Sequence, residues 1–267
     1  MHRSFQYNRR PRPTQGGVFL QLYLAVTPPE RISAARHTKR LLHVAYRIGP
    51  DSTLLRRDLP PEVRGGLMSI SDHGAPPIAA PERLCAAVVR ECGRRNFSGV
   101  VLEVEGRITE DRRVFARQLA RTLSGKYRLF LPEDCPAEGA VTLINTAVSG
   151  GSFLQRLREA RAHYGAIAVD TERLAMEFTL PAVTGRGRPL TLPQLRELLA
   201  AEPAVFFSQE LCARYFTRMD GRQPRFILFD DGDTIRRKLK LAASLGIDTA
   251  FVVYPEVEDL LGELFTE

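Results

Sequence analysis

The chain has 267 residues, 44% hydrophobic and 26% charged, with 20 glycines, 18 prolines and no tryptophan. That length and apolar share suffice for a full core, and the composition excludes a disordered or low-complexity class. A formal charge of +7 suits an anionic polymer or surface. The basic residues, however, run along helical stretches such as Arg156, Arg158 and Arg161 without interleaved aromatics, so no nucleic-acid partner is expected.

In chain order, residues 1–15 read as a flexible basic tail, with tethering to an acidic surface as its functional alternative. No apolar run of signal-peptide or membrane-spanning type follows it, so neither a signal peptide nor a membrane partner is expected. The expected location is the cytoplasm, with cell-envelope or spore association as the alternative. Residues 16–267 read as one domain.

Val18–Val26 is a first apolar strand, and Pro28-Pro29-Glu30 predicts a helix to about Arg40, since proline suits a first helical turn. Leu42–Ile48 and Gly66–Ser71 are the second and third strands. Pro81–Arg95 has apolar residues at helical spacing. Gly99–Val104 is a fourth strand and Glu110–Leu123 a helix. Tyr127–Leu131 and Val141–Ala147 are the fifth and sixth strands, with a helix over Ser152–His163. Leu174–Leu180 is expected as the seventh strand and Pro193–Ala201 as another helix. Phe226–Phe229 is a short accessory strand, Asp233–Leu245 a helix and Thr249–Tyr254 the closing strand. Strands alternating with helices leave a closed parallel barrel or an open doubly wound sheet. The open sheet is disfavoured because no glycine-rich phosphate turn follows an early strand. The predicted fold is therefore α/β, a somewhat trimmed (β/α)₈ TIM-type barrel in a single domain.

Four cysteines, at 85, 92, 135 and 212, show no CxxC or Cys/His spacing, so no metal site and no cofactor are read. They are expected as buried free thiols, with two disulfides as the alternative.

The chemistry-bearing segment is Ser98-Gly-Val-Val-Leu-Glu103-Val-Glu105. Strand alternation puts Val101, Glu103 and Glu105 on one face and Val100, Leu102 and Val104 on the other. In a barrel the second face packs under the helices, so both carboxylates point into the C-terminal mouth, where barrel active sites lie. Two close carboxylates resist joint ionisation, which favours a protonated general acid. The plainer alternative is a pair of glutamates bridged to arginines inside the barrel. Asp72 follows the third strand at the same mouth and is a candidate ligand contact, or a surface-loop residue. Asp231 or Asp233 is an N-cap ahead of the last long helix.

This fourth strand resembles that of glycoside hydrolase family 18, the chitinase-like barrels, whose motif is DGxDxDxE. Ser98 stands at its first aspartate, Gly99 at the glycine, Val101 and Glu103 at the later aspartates and Glu105 at the catalytic glutamate. Ser69-Ile-Ser-Asp72 is similar to the family's third-strand Ser-x-Gly-Gly. Arg173–Pro181 is similar to its seventh strand, and Asp230-Asp231 with Lys238 and Leu245-Gly246 to its penultimate segment. The resemblance spans roughly Val18–Leu261. It implies a substrate containing N-acetylglucosamine, of chitin or peptidoglycan type, and a substrate-assisted mechanism outside the usual two-carboxylate scheme. In that mechanism Glu105 is the acid and Glu103 the carboxylate supporting the acetamido group. The family's sixth-strand tyrosine and aspartate are replaced here, with Asn145 and Thr146 as candidate substitutes. Val253 stands at the family's last-strand tryptophan, and Tyr254 beside it is the candidate stacking face. The alternative to an active glycosidase is an inactive barrel of this type that binds glycan or protein.

Overall fold

The computed structural model describes residues 20–181, 185 and 187–265. The basic tail, together with Val18 and Phe19, lies outside these residues. Strand β1 (Gln21–Val26) pairs in parallel with both β2 (Leu41–Gly49) and the last strand, β14 (Thr249–Val253), which closes the sheet. Between them β4 (Leu67–Ser71), β5 (Gly99–Glu103), β6 (Arg128–Pro132), β7 (Val141–Asn145) and β8 (Ile167–Asp170) complete a parallel eight-stranded barrel. A short strand, β3 (Thr53–Arg56), folds back antiparallel on β2.

Alternation sorts the side chains. Leu42, Leu67, Val101, Phe130, Ala168 and Phe251 fill the barrel interior. Val100 and Leu102 face outward, into a core shared with the helices α2 (Pro81–Arg95) and α3 (Glu110–Leu123). Pro81 opens α2, and Asn96 ends it in the left-handed conformation at φ 53°. On the other flank, α4 (Phe153–Tyr164) and α6 (Gly232–Ser244) cover strands β7, β8 and β14. Ser152 caps α4, and Asp231 with Thr234 forms a capping box at α6. All four cysteines are free and buried.

Two expected elements are corrected. The predicted helix from Pro28 shrinks to the single turn α1 (Arg31–Ala34). Only Ala34 in it is buried, and the basic run Arg36–Arg40 offers no apolar stripe to dock. The seventh barrel strand is β8, not Leu174–Leu180. That segment instead forms β9 (Ala175–Thr179), within an insertion that also holds β10 (Arg188–Pro189), α5 (Leu192–Leu199), β11 (Phe206–Ser208), β12 (Ala213–Asp220) and β13 (Gln223–Phe229). These strands form a separate antiparallel sheet in the order β10-β9-β13-β12-β11. The physical reason is visible at Glu177 in the middle of β9. It is buried, and its carboxylate is paired by Arg188 at 2.7 Å and Arg218 at 3.0 Å, both within the insertion.

A buried knot joins insertion and barrel. Lys238 of α6 donates to Asp230 at 2.6 Å and to the Thr146 carbonyl at 3.2 Å. Asp230 also accepts from the Leu174 N–H at 3.1 Å and the Thr234 hydroxyl at 2.8 Å. Both charged side chains are essentially inaccessible to water.

Candidate active site

The ends of β4 and β5 build one side of the barrel mouth. Ser71 pairs in register with Glu103, and Ser69 with Val101. The Ser69 hydroxyl hydrogen-bonds the Glu103 carboxylate. Burial raises the Glu103 pKa, and nearby Glu105 adds to the rise while Ser69 opposes it. Glu105 lies just past the strand end. Its N–H donates to Asp72 at 2.8 Å and its carboxylate meets His73 Nδ1. The side chains of His73 and Glu105 are 77% and 59% exposed, so solvent reaches this pair. The hydrogen bond that His73 donates to the Glu105 carboxylate raises the His73 pKa.

Asp72 is held underneath them. It is buried, and its second oxygen takes Arg112 of α3 at 3.2 Å. Arg112 also donates to the carbonyls of Ala75 at 2.9 Å and Pro76 at 3.0 Å. Asp72 thus ties the third-strand loop and the Glu105 backbone to α3. Its side chain is buried rather than at the open surface.

The ends of β7 and β8 build the opposite side. Asn145 and Asp170 are register partners. Asn145 donates to Glu172 at 2.7 Å and accepts from the Ala147 N–H at 2.7 Å. Asp170 points into the mouth, as Ala168 two residues earlier points into the barrel. Burial, with the charges of Glu172, Glu256 and Glu103, pushes its pKa up to about 6. Burial also raises Glu256, which accepts the Arg173 N–H at 3.0 Å. The Arg173 guanidinium donates to the Glu256 carbonyl at 2.9 Å and to the Asp259 carboxylate at 2.6 Å.

A cleft of about 410 Å³ opens here between barrel and insertion, lined by Asn145, Glu172, Met176, Leu190 and Glu256 among others. Among the described residues no aromatic lines it, and Glu103 and Glu105 are not in its wall. Among the described residues no group of His, Cys, Asp or Glu could hold a metal ion.

The structure therefore brings Glu103, Glu105 and Asp72 together, and sets Asn145 across the mouth from them. The other two candidates do not reach it. Thr146 is fully buried on the outer side of β7, its carbonyl taken by Lys238 and its hydroxyl without a described partner. Tyr254 is corrected as a stacking face. Val253 is the inward residue, whereas Tyr254 opens the short helix α7 (Tyr254–Val257), packs in the outer core and donates to Glu258 at 3.0 Å. Sequence reasoning missed Asp170, Glu172 and Glu256. The available signal for the first was a carboxylate closing the short apolar run Ile-Ala-Val.

No family model and no curated protein matches this chain. Solved structures do. The spore cortex-lytic enzyme SleL of Bacillus megaterium superposes with a TM-score of 0.62 at 14% identity, over 95% of this chain and 76% of that one. A chitinase from Chromobacterium violaceum gives 0.64 at 12% identity, over 91% and 97%. Human YKL-39, described as a pseudo-chitinase with retained chitooligosaccharide binding properties, gives 0.61 at 11%, over 88% and 92%.

The fold is that of the chitinase barrels. In this barrel Gly99–Glu103 forms the fourth strand, with Glu105 just past its end. The insertion of this chain enters between its seventh and eighth barrel strands.

Proposed function

We propose that this chain is a divergent family-18-like glycosidase that takes an N-acetylglucosamine-containing glycan across the C-terminal mouth, with Glu105 as the proton donor. The observation that carries this reading is the line of carboxylates over the mouth. Glu105 is solvent-exposed at the rim, Glu103 lies largely buried beside it with a raised pKa, and Asp170 stands across the mouth with a pKa of about 6. A glycosidic oxygen at the rim would meet a carboxyl group whose backbone is fixed by Asp72. Glu103 and Asp170 hold protonatable groups where an acetamido group must be oriented. Asp170 supplies a carboxylate that the sixth strand lacks. The extra methylene of Glu103 moves its oxygens by about 1 Å relative to an aspartate, a displacement that costs up to about 10²-fold in rate.

A second reading is glycan binding without turnover. It is favoured by the outward packing of Tyr254, which leaves the cleft without an aromatic floor among the described residues. Release of a chromogenic leaving group from a di-N-acetylchitobioside, compared between the native chain and Glu105→Gln, separates the two. Turnover that the variant abolishes supports the glycosidase. Oligosaccharide binding with no turnover in either protein supports the binding module, and neither binding nor turnover removes both.

A further inference from the structure

Strand β2 carries an irregularity that changes which residue faces the mouth. Leu42 and Val44 point into the barrel, and Val44 is in register with Ser69. The next register partner of β4 is not Ala45 but Tyr46, opposite Ile70. Ala45 is thus an extra residue, a bulge in a parallel pair. Without it, alternation would turn Tyr46 inward and Arg47 outward. With it, Tyr46 packs in the outer core and donates to Glu91 of α2 at 2.9 Å, while Arg47 aligns with Ser71 and, one strand further, Glu103. Bulges beside active sites commonly re-aim a side chain in this way.

Arg47 is exposed and has no hydrogen-bond or ion-pair partner among the described residues. Its neighbours differ. Arg56 and Arg95 both engage Glu91, and Arg112 engages Asp72. The guanidinium therefore stands at the mouth with its donors unspent, two strands from Glu103, a lateral step of roughly 10 Å. On one side Arg47 is followed by Glu103 and the His73–Glu105 pair, and the β7–β14 side carries Asp170, Glu172 and Glu256 with Arg173 among them, so Arg47 is the cation there without a carboxylate partner among the described residues.

We propose that Arg47 is a specificity-determining residue that reads a carboxylate on the sugar chain, so that the substrate is an acidic N-acetylhexosamine polymer rather than neutral chitin. This rests on the glycan reading above and narrows it. A guanidinium matches a carboxylate bidentately, which selects for the acid over its amide or a hydroxyl. A carboxylated sugar is favoured beside Arg47 and disfavoured beside Asp170, Glu172 and Glu256, which sets the register of an alternating polymer along the mouth.

The test is calorimetric titration of the full chain with three probes. These are peptide-stripped peptidoglycan strands with free lactyl carboxylates, the same strands with those carboxylates converted to amides, and a chitin oligosaccharide. The native chain is expected to prefer the free acid over the amide by roughly 10- to 100-fold. Arg47→Ala erases that preference, Arg47→Lys keeps part of it, and chitin binding is unchanged by either. The proposal is overturned if Arg47→Ala binds the acidic strands like the native chain, or weakens all three probes alike. If the native chain binds none of the probes, the glycan reading itself fails. If it binds chitin normally but shows no Arg47-dependent preference, only this proposal does.

Discussion

The two sides of the mouth differ in how their polar groups are committed. Over β4 and β5, Ser69, Asp72, His73 and Arg112 hold Glu103 and Glu105 in a chain of hydrogen bonds that reaches the helices. Over β7, β8 and β14, Asp170 lies next to an open cleft with no such support from a described side chain. The first side is arranged to hold a group in place. The second has room for a ligand and carboxylates kept in the less solvated state. A working glycosidase needs both sides to meet on one substrate.

The comparison can be broken most severely behind the cleft side. Lys238→Met leaves Asp230 as an uncompensated buried charge, which costs about 3–5 kcal/mol. The melting temperature should fall sharply. The double variant Lys238→Met with Asp230→Leu should recover much of the loss, because no charge is then stranded. An unchanged melting temperature for the single variant would show that the knot does not hold the two parts together.

Next is the acid. Glu105→Gln should lower turnover of an N-acetylglucosaminide by roughly 10²–10⁴-fold, the usual contribution of a general acid, with little change in stability. Rates within twofold of the native chain would remove Glu105 from the chemistry.

Asp170→Asn sharpens the contrast from the cleft side. Burial raises its folded pKa to about 6. Between pH 4 and 6 the unfolded chain therefore loses this proton before the folded chain does, and folded stability falls as pH rises through that window. The asparagine variant lacks this penalty. It should be more stable than the native chain at pH 7.5, by an amount of order 3 kcal/mol, with the difference vanishing near pH 4. Parallel stability–pH curves for the two proteins would contradict the assignment.

The smallest effect is at His73, where exposure screens the pair with Glu105. The raised pKa of His73 means that its imidazolium persists to higher pH than a free imidazole's and is lost as pH rises through that pKa. His73→Ala should flatten this limb of the pH–rate profile and leave the melting temperature unchanged. A profile identical to that of the native chain would place His73 outside the proton inventory.

Much of the barrel was legible because strand alternation is a local signal. Glu103 and Glu105 could be assigned to the mouth from Val100, Leu102 and Val104 alone. The seventh strand was not, since β8 has only four residues and β9 a few residues later is longer. What decides between them is the pairing of Glu177 with Arg188 and Arg218, a contact invisible to periodicity. Tyr254 was placed one step wrong for a related reason. The strand stops at Val253, and Pro255 lies in the first turn of α7. The bulge at Ala45 was equally hidden, because a one-residue shift in pairing leaves no mark on composition.

The insertion leaves and rejoins the barrel at almost one point. The Asp230 N–H donates to the Leu174 carbonyl at 2.7 Å, and Leu174 donates back to the Asp230 side chain. A segment whose two ends already touch can be exchanged as a cassette. Replacing residues 175–229 with a short turn, or with another recognition module of matched ends, leaves the eighth strand where it is. The same barrel could thereby acquire new binding partners by swapping one wall of its cleft.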